Sequence, residues 1–248
     1  MPTLSADDHW YRTAFGPLTA ALWTGLVANE RIEQEARFLA AALQAPAGGL
    51  LLDVPCGAGR HARALGRLGW RVDGLEISEH MLAATSDAAV EGVTLQQGDM
   101  MALAATDRYD GCYCWGNSFG YLSDEDTRSF LRRVALALRP GAHFVLESGA
   151  VAENVLSTFH ARTELGMAGF RFTAERRYDL AESAMHIRYR IERDGEAEEF
   201  VARQAVYTVA EILRMAAVAG LAMESLHGGI AGETASIGRP LIAVLRRR

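Results

Sequence analysis

The stretch that decides the fold is Leu50 to Ala62, "LLLDVPCGAGRHA". A continuous apolar run ends in Asp53, a glycine turn follows, and a helix-compatible segment begins at Arg60. An apolar run closed by turn residues reads as a strand buried on both faces. Gly57-Ala58-Gly59-Arg60-His61-Ala62 fits the G-x-G-x-x-G/A spacing of a dinucleotide loop. In such a loop glycines let the backbone approach a ligand and the helix N-terminus receives an anion.

The same alternation continues outward. Strands are expected at Leu50–Val54, Arg71–Glu76, Val93–Gln97, Tyr109–Trp115 and Ala142–Glu147, with helices at Arg60–Leu68, Ser78–Val90 and Ser123–Leu138. Upstream, Glu30 to Leu43 has strong helix propensity. Strands alternating with helices predict a parallel α/β sheet covered on both faces. After Ala150 the period changes. Alternating runs at about Phe170–Leu180, Met185–Arg193 and Glu199–Tyr207, with Asp194-Gly195 as a hairpin turn, predict an antiparallel insertion. Thr208–Ala219 reads as a helix with a capping box, and Leu221–His227 and Leu241–Leu245 as closing strands. The expected organisation is one domain over residues 1–248: an N-terminal helical cap (1–45), a ligand-binding core (46–150), an inserted β lid (161–207) and a closing helix and strand pair (208–248).

Three acids argue against a pyrophosphate in the glycine loop. Asp53 ends the first strand, Glu76 ends the second in "VDGLEIS", and Asp99 follows the third in "LQQGDM". In a parallel sheet these ends lie side by side at the carboxyl edge, where ligands bind. At roughly 4 Å and an effective dielectric of about 20, each like-charge contact costs about 4 kcal/mol. The trio suits S-adenosylmethionine, with its ammonium, sulfonium, ribose hydroxyls and adenine amine. Asp53 favours the methionine end, Glu76 accepts the ribose hydroxyls and Asp99 accepts from the adenine amine.

The ordered set "LLDVPCGAGRHARAL", "VDGLEISEHML", "LQQGDM", "YDGCYCWGNSFGYL" and "LRRVALALRPGAHFVLE" resembles class I S-adenosylmethionine-dependent methyltransferases over about residues 36–148. The resemblance implies a Rossmann-like, mostly parallel seven-stranded sheet with its last strand antiparallel. It implies a cofactor set of Tyr11, Asp53, Gly57, Gly59, Glu76, Ile77, Asp99, Met100 and Trp115. The segment after the fourth strand faces substrate in this family, which brings in Asn117 and Phe119, and Arg171 and Tyr178 are candidates on the inserted hairpins. Tyr121 and Glu147 are the candidate catalytic residues, Tyr121 as a base. Pro55 departs from the pattern: it removes one N–H, so the loop's donors come from later residues. The arrangement is most similar to bacterial small-molecule members. Sugar-amine N-methyltransferases share its aromatic N-terminal segment and its β-rich insertion, but place a different polar side chain where this chain has Tyr121. The implied reaction is in-line methyl transfer to an oxygen or nitrogen of a small metabolite. A nicotinamide oxidoreductase, or a binding module without chemistry, is the alternative.

Composition bounds the rest. A formal net charge of -6 argues against nucleic acid as a partner, and the Arg246-Arg247-Arg248 end reads as a solvated tail. Half the residues are hydrophobic, which supports a sizeable core. The three cysteines, Cys56, Cys112 and Cys114, have neither disulfide nor metal-site spacing, and no metal is expected. No apolar run reaches the length of a membrane span and the N-terminus "MPTLSADDHW" lacks leader character, so the expected setting is cytoplasmic. An exposed edge of the inserted sheet offers a route to a homodimer.

Overall fold

A computed structural model describes residues 6–7, 9–85 and 89–248. After a 3-10 turn at Trp10–Arg12 come helices α1 (Pro17–Gly25) and α2 (Asn29–Leu43). Then follow β1 (Leu50–Asp53), α3 (Arg60–Arg67), β2 (Arg71–Glu76), α4 (Glu79–Ala83), β3 (Val93–Gln97) and β4 (Tyr109–Cys114). A 3-10 turn at Ser118–Tyr121 leads to α5 (Asp124–Ala137), β5 (Leu138–Ser148) and the short α6 (Ala152–Val155). The inserted strands are β6 (Arg162–Met167), β7 (Phe170–Asp179), β8 (Ala184–Arg193) and β9 (Glu196–Ala205). The chain closes with α7 (Val209–Val218), β10 (Leu221–His227) and β11 (Leu241–Arg247).

The main sheet has the order β10-β11-β5-β4-β1-β2-β3. β11 runs antiparallel to both its neighbours, and the β2–β3, β1–β2, β1–β4 and β4–β5 pairs are parallel. This is the expected α/β class. β1 is central and buried along its whole length, as its unbroken apolar run requires. Successive residues serve opposite faces. Leu51 and Tyr113 pack with Leu39, Leu43 and Leu65 of α2 and α3, while Leu52, Cys112 and Cys114 pack with Phe130, Leu131 and Ile212 of α5 and α7. The three cysteines are free and buried. No helix among the described residues is long and apolar enough to cross a membrane.

The inserted strands form a second, antiparallel sheet in the order β6-β7-β8-β9. Asp194 and Gly195 both take positive φ, as a tight two-residue hairpin turn demands. The sheet leans on the N-terminal cap. Glu198 of β9 accepts the Leu18 and Thr19 N–H groups (2.8 and 2.9 Å) and the Thr19 hydroxyl (2.7 Å). It therefore caps α1, whose own N-cap is Gly16 with no side chain to offer. A Cβ on Gly16 would lie 2.7 Å from the Glu198 carboxylate, so glycine is what admits that contact. Trp10 Nε1 donates to the Arg203 carbonyl at 2.9 Å, a second tie to β9.

Four expectations need correction. The helix expected at Ser78–Val90 is described over Glu79–Ala83, with Ala84 as its C-cap; residues 86–88 lie outside the described residues, as do 1–5 and 8 of the N-terminal reading. β5 starts at Leu138, ahead of the expected Ala142, with Pro140 taken up where the β4–β5 register shifts. β6 was not expected: it is an exposed edge strand with no apolar alternation to read. Arg246 and Arg247 belong to β11 and are not a solvated tail: Arg247 pairs with Asp107 and the Leu138 carbonyl, and Arg246 Nε donates to the Gly141 carbonyl.

Candidate active site

The parallel strands end in a crevice. After Asp53 the chain turns, and the Cys56 N–H donates to the Leu75 carbonyl at 2.9 Å. The Gly57 N–H, at φ +54°, donates to Glu76 Oε2 at 2.9 Å, and the Ser78 N–H to Oε1 at 2.9 Å. One carboxylate thus pins the glycine loop to the end of β2 while each oxygen keeps acceptor capacity. Gly59 has a different duty from the one expected. It does not line the cavity; it starts α3 at φ +70°, and a Cβ there would lie 2.3 Å from Leu95.

The crevice opens into a cavity of about 600 Å³, within the range of small-molecule sites. Of the sequence candidates, Tyr11, Asp53, Gly57, Glu76, Ile77, Asp99, Met100, Trp115, Asn117 and Tyr121 line it. Asp53 and Glu76 are 2% and 6% exposed. Burial pushes the Asp53 carboxyl well above the usual range, and the Glu76 charge raises it further. Burial also raises Glu76, against the backbone N–H bonds it accepts. No arginine or histidine pairs with either among the described residues. The third acid differs. Asp99 Oδ2 accepts from Arg12 at 2.7 Å and Oδ1 from the Met101 N–H at 2.9 Å.

Tyr11 is buried against Trp10, and its hydroxyl finds no hydrogen-bond partner among the described residues. Tyr121 lies 4.7 Å from Trp10, ring centre to ring centre. Burial pushes its hydroxyl far above the ordinary tyrosine range, which favours the protonated form over the expected base. Glu147 is also displaced from the chemistry. It does not line the cavity; its Oε2 accepts the Gly116 and Asn117 N–H groups at 2.9 and 3.2 Å and holds the turn after β4. Asn117, at φ +69°, accepts from the Gly149 N–H through Oδ1 and from Gln204 Nε2 (3.2 Å) through its carbonyl.

Three substrate candidates miss the cavity. In the 3-10 turn Ser118 and Tyr121 share one face, three residues apart, and Phe119 turns into the core against Tyr207. Arg171 is exposed and stands opposite Glu192, on the face of the inserted sheet away from the cavity. Tyr178 sits too close to the hairpin, bonded to Ser183 at 3.1 Å. The inserted sheet instead presents Arg176, Met185, Ile187, Tyr189, Phe200 and Gln204. The N-terminal cap adds Trp10, Phe15 and Trp23, with Trp10 stacked on Phe200 at 6.2 Å. His61, also unforeseen, lines the cavity; its Nε2 meets Glu35 at 2.8 Å, and Arg31 holds the other Glu35 oxygen at 2.8 Å. The signal available was Glu35 on the Ile32–Ala36–Leu39 face of α2, an acid on a buried stripe. Asp179, Glu182 and His186 bring metal-type donors together, but Arg177 and Arg203 already engage the two carboxylates.

Residues 51–141 match the protein family described as a methyltransferase domain. Over 215 residues the chain is 28% identical to the dTDP-3-amino-3,6-dideoxy-alpha-D-glucopyranose N,N-dimethyltransferase of Streptomyces fradiae, covering 84% of each. The CcbJ methyltransferase of Streptomyces caelestis shares the fold at TM-score 0.78 and 23% identity, over 95% of this chain and 98% of that one. A S-adenosylmethionine-bound amino pentose methyltransferase of Micromonospora echinaspora does so at TM-score 0.67 and 24% identity, over 92% and 95%.

The sheet order and the crevice at its carboxyl edge belong to the Rossmann-like fold that these structures share. The methyltransferase domain and the methyltransferase relatives support S-adenosylmethionine-dependent methyl transfer. The buried, unpaired Asp53 and Glu76 fit that cationic, hydroxyl-rich cofactor. The nicotinamide alternative finds no support.

Proposed function

We propose that this enzyme methylates an oxygen or nitrogen of a small molecule held between the sheet edge and the inserted sheet. An amino sugar carried on a nucleotide, the substrate named for the Streptomyces fradiae relative, is the acceptor class to try first. The observation that carries the reading is the pair Asp53 and Glu76: buried carboxylates on a cavity wall without a cation. A buried charge without a partner is costly, and a cationic ligand with hydroxyl donors removes that cost.

S-adenosylmethionine, when bound, supplies a methyl group already activated by its sulfonium. In this reading Glu76 takes the ribose hydroxyls, Asp53 favours the methionine end and Asp99 takes the adenine amine. Gly57 gives backbone access, and Ile77, Met100, Trp115 and Tyr11 pack around the cofactor. Asn117 and the Tyr121 hydroxyl orient the acceptor, Tyr121 by donating. The aromatic walls exclude water, which favours a neutral amine over its ammonium form and leaves its lone pair free to attack. The free thiols fit a reducing compartment, so we assign the activity to the cytoplasm.

Calorimetric titration with S-adenosylhomocysteine, with NADH as comparison, tests the reading. Binding of the first alone, followed by methylation of a nucleotide-linked amino sugar in a mass assay, is the expected result. Binding of NADH alone, or of neither, overturns it.

A further inference from the structure

The inner wall of the inserted sheet is aromatic and aliphatic except at Gln204, which is bonded to the Asn117 carbonyl, and at Arg176. Arg176 stands on β7 opposite Ile187 and lines the cavity, half-buried. Its guanidinium donates to Thr163 Oγ1 at 2.8 Å. The charge is felt by the neighbouring Tyr189 hydroxyl, whose titration it lowers against the larger effect of burial.

Most arginines of the sheet meet a carboxylate, and among the described residues the exposed, outward-facing Arg171 is an exception that does not line the cavity. Arg162, Arg177, Arg188, Arg190 and Arg203 each have a carboxylate within 4 Å. Among the described residues Arg176 has none. A guanidinium offers five donors in a planar fork, matched to the paired oxygens of a carboxylate or phosphate. Half-buried on the cavity wall, it gives up part of its hydration without a carboxylate to replace it.

We propose that Arg176 is the specificity residue of the acceptor chamber, and that the acceptor bears an oxyanion, a phosphate or a carboxylate, on a flat or apolar body packed against Tyr189 and Phe200. The proposal rests on the methyltransferase reading of the cavity. It adds a requirement that the cofactor residues do not impose: the acceptor is anionic where it meets Arg176.

The test uses full-length protein saturated with S-adenosylhomocysteine and two pairs of probes: thymidine diphosphate against thymidine, and salicylate against salicyl alcohol. At least one anion should bind about tenfold or more tightly than its neutral mate. The pair that discriminates identifies phosphate or carboxylate as the source. Arg176→Gln should erase the preference with S-adenosylhomocysteine affinity unchanged, and Arg176→Lys should keep part of it. No preference in either wild-type pair, absence of anion binding included, overturns the proposal. A preference that survives in Arg176→Gln also overturns it. The wild-type pairs decide the matter on their own if Arg176→Gln folds poorly. Failure of S-adenosylhomocysteine to bind wild-type protein would sink the underlying reading instead, and is seen before any probe is added.

Discussion

The crevice at the sheet edge and the chamber beneath the inserted sheet are two ends of one cavity with opposite character. The crevice is built from consecutive strand ends and holds two buried carboxylates without cations. The chamber is built from rings that arrive from the N-terminal cap and the insertion, and holds Arg176, which among the described residues has no carboxylate within 4 Å. On the outer face of the inserted sheet Arg162, Arg188 and Arg190 each meet a carboxylate. Charges left unpaired on a cavity wall mark where a ligand completes the structure, and here the two ends call for opposite signs.

The contrast can be broken from the crevice side first. Glu76→Ala removes the acceptor of two loop N–H groups as well as a ligand contact, and should weaken S-adenosylhomocysteine binding by about 100-fold or more in calorimetry. Asp99→Ala should weaken it by about tenfold without unfolding, since Arg12 is left in a solvent-exposed position; unchanged affinity would remove Asp99 from the site. Tyr121→Phe belongs to the other end. Turnover should fall by about tenfold while cofactor affinity stays within about twofold, and equal turnover would remove the donor role. Glu198→Ala should leave cofactor binding intact but cost roughly 1–2 kcal/mol in urea unfolding, the loss of a helix cap.

The smallest effect is a proton count. Asp53 and Glu76 titrate above their unfolded values of about 4. The ligand-free fold therefore holds protons that the unfolded chain has released. Their contribution favours the fold below the unfolded values and is lost as pH rises through the raised folded ones. A cationic cofactor reverses the shift, so S-adenosylmethionine binding should release protons and tighten as pH rises through the raised values. Titration in buffers of different ionisation enthalpy measures that release; proton uptake would contradict the assignment.

The crevice was legible because its residues follow strand ends that an apolar run and a glycine turn announce locally. Asp53, Glu76 and Asp99 look alike in sequence, however, and only the fold separates the two unpaired acids from the one that Arg12 neutralises 87 residues away. Glu147 also ends a strand, yet serves a neighbouring turn. The chamber was illegible for another reason. Which side chains of an inserted strand face inward depends on register, and a one-residue change exchanges the two faces. Arg171 has the wrong parity and Tyr178 lies at the wrong end, whereas Arg176 satisfies both conditions. Phe119 shows the same dependence within a single turn.

The carboxylate of Glu198 ties the start of α1 to a strand some 180 residues later, with Gly16 leaving room for it. The two walls of the chamber are consequently not interchangeable modules. A relative's insertion grafted onto this chain without its matching N-terminal segment would strand a helix start, and a new cap without its insertion would leave a carboxylate idle. Acceptor preference in this architecture is inherited as a pair of distant segments, and a change of substrate has to pass through both.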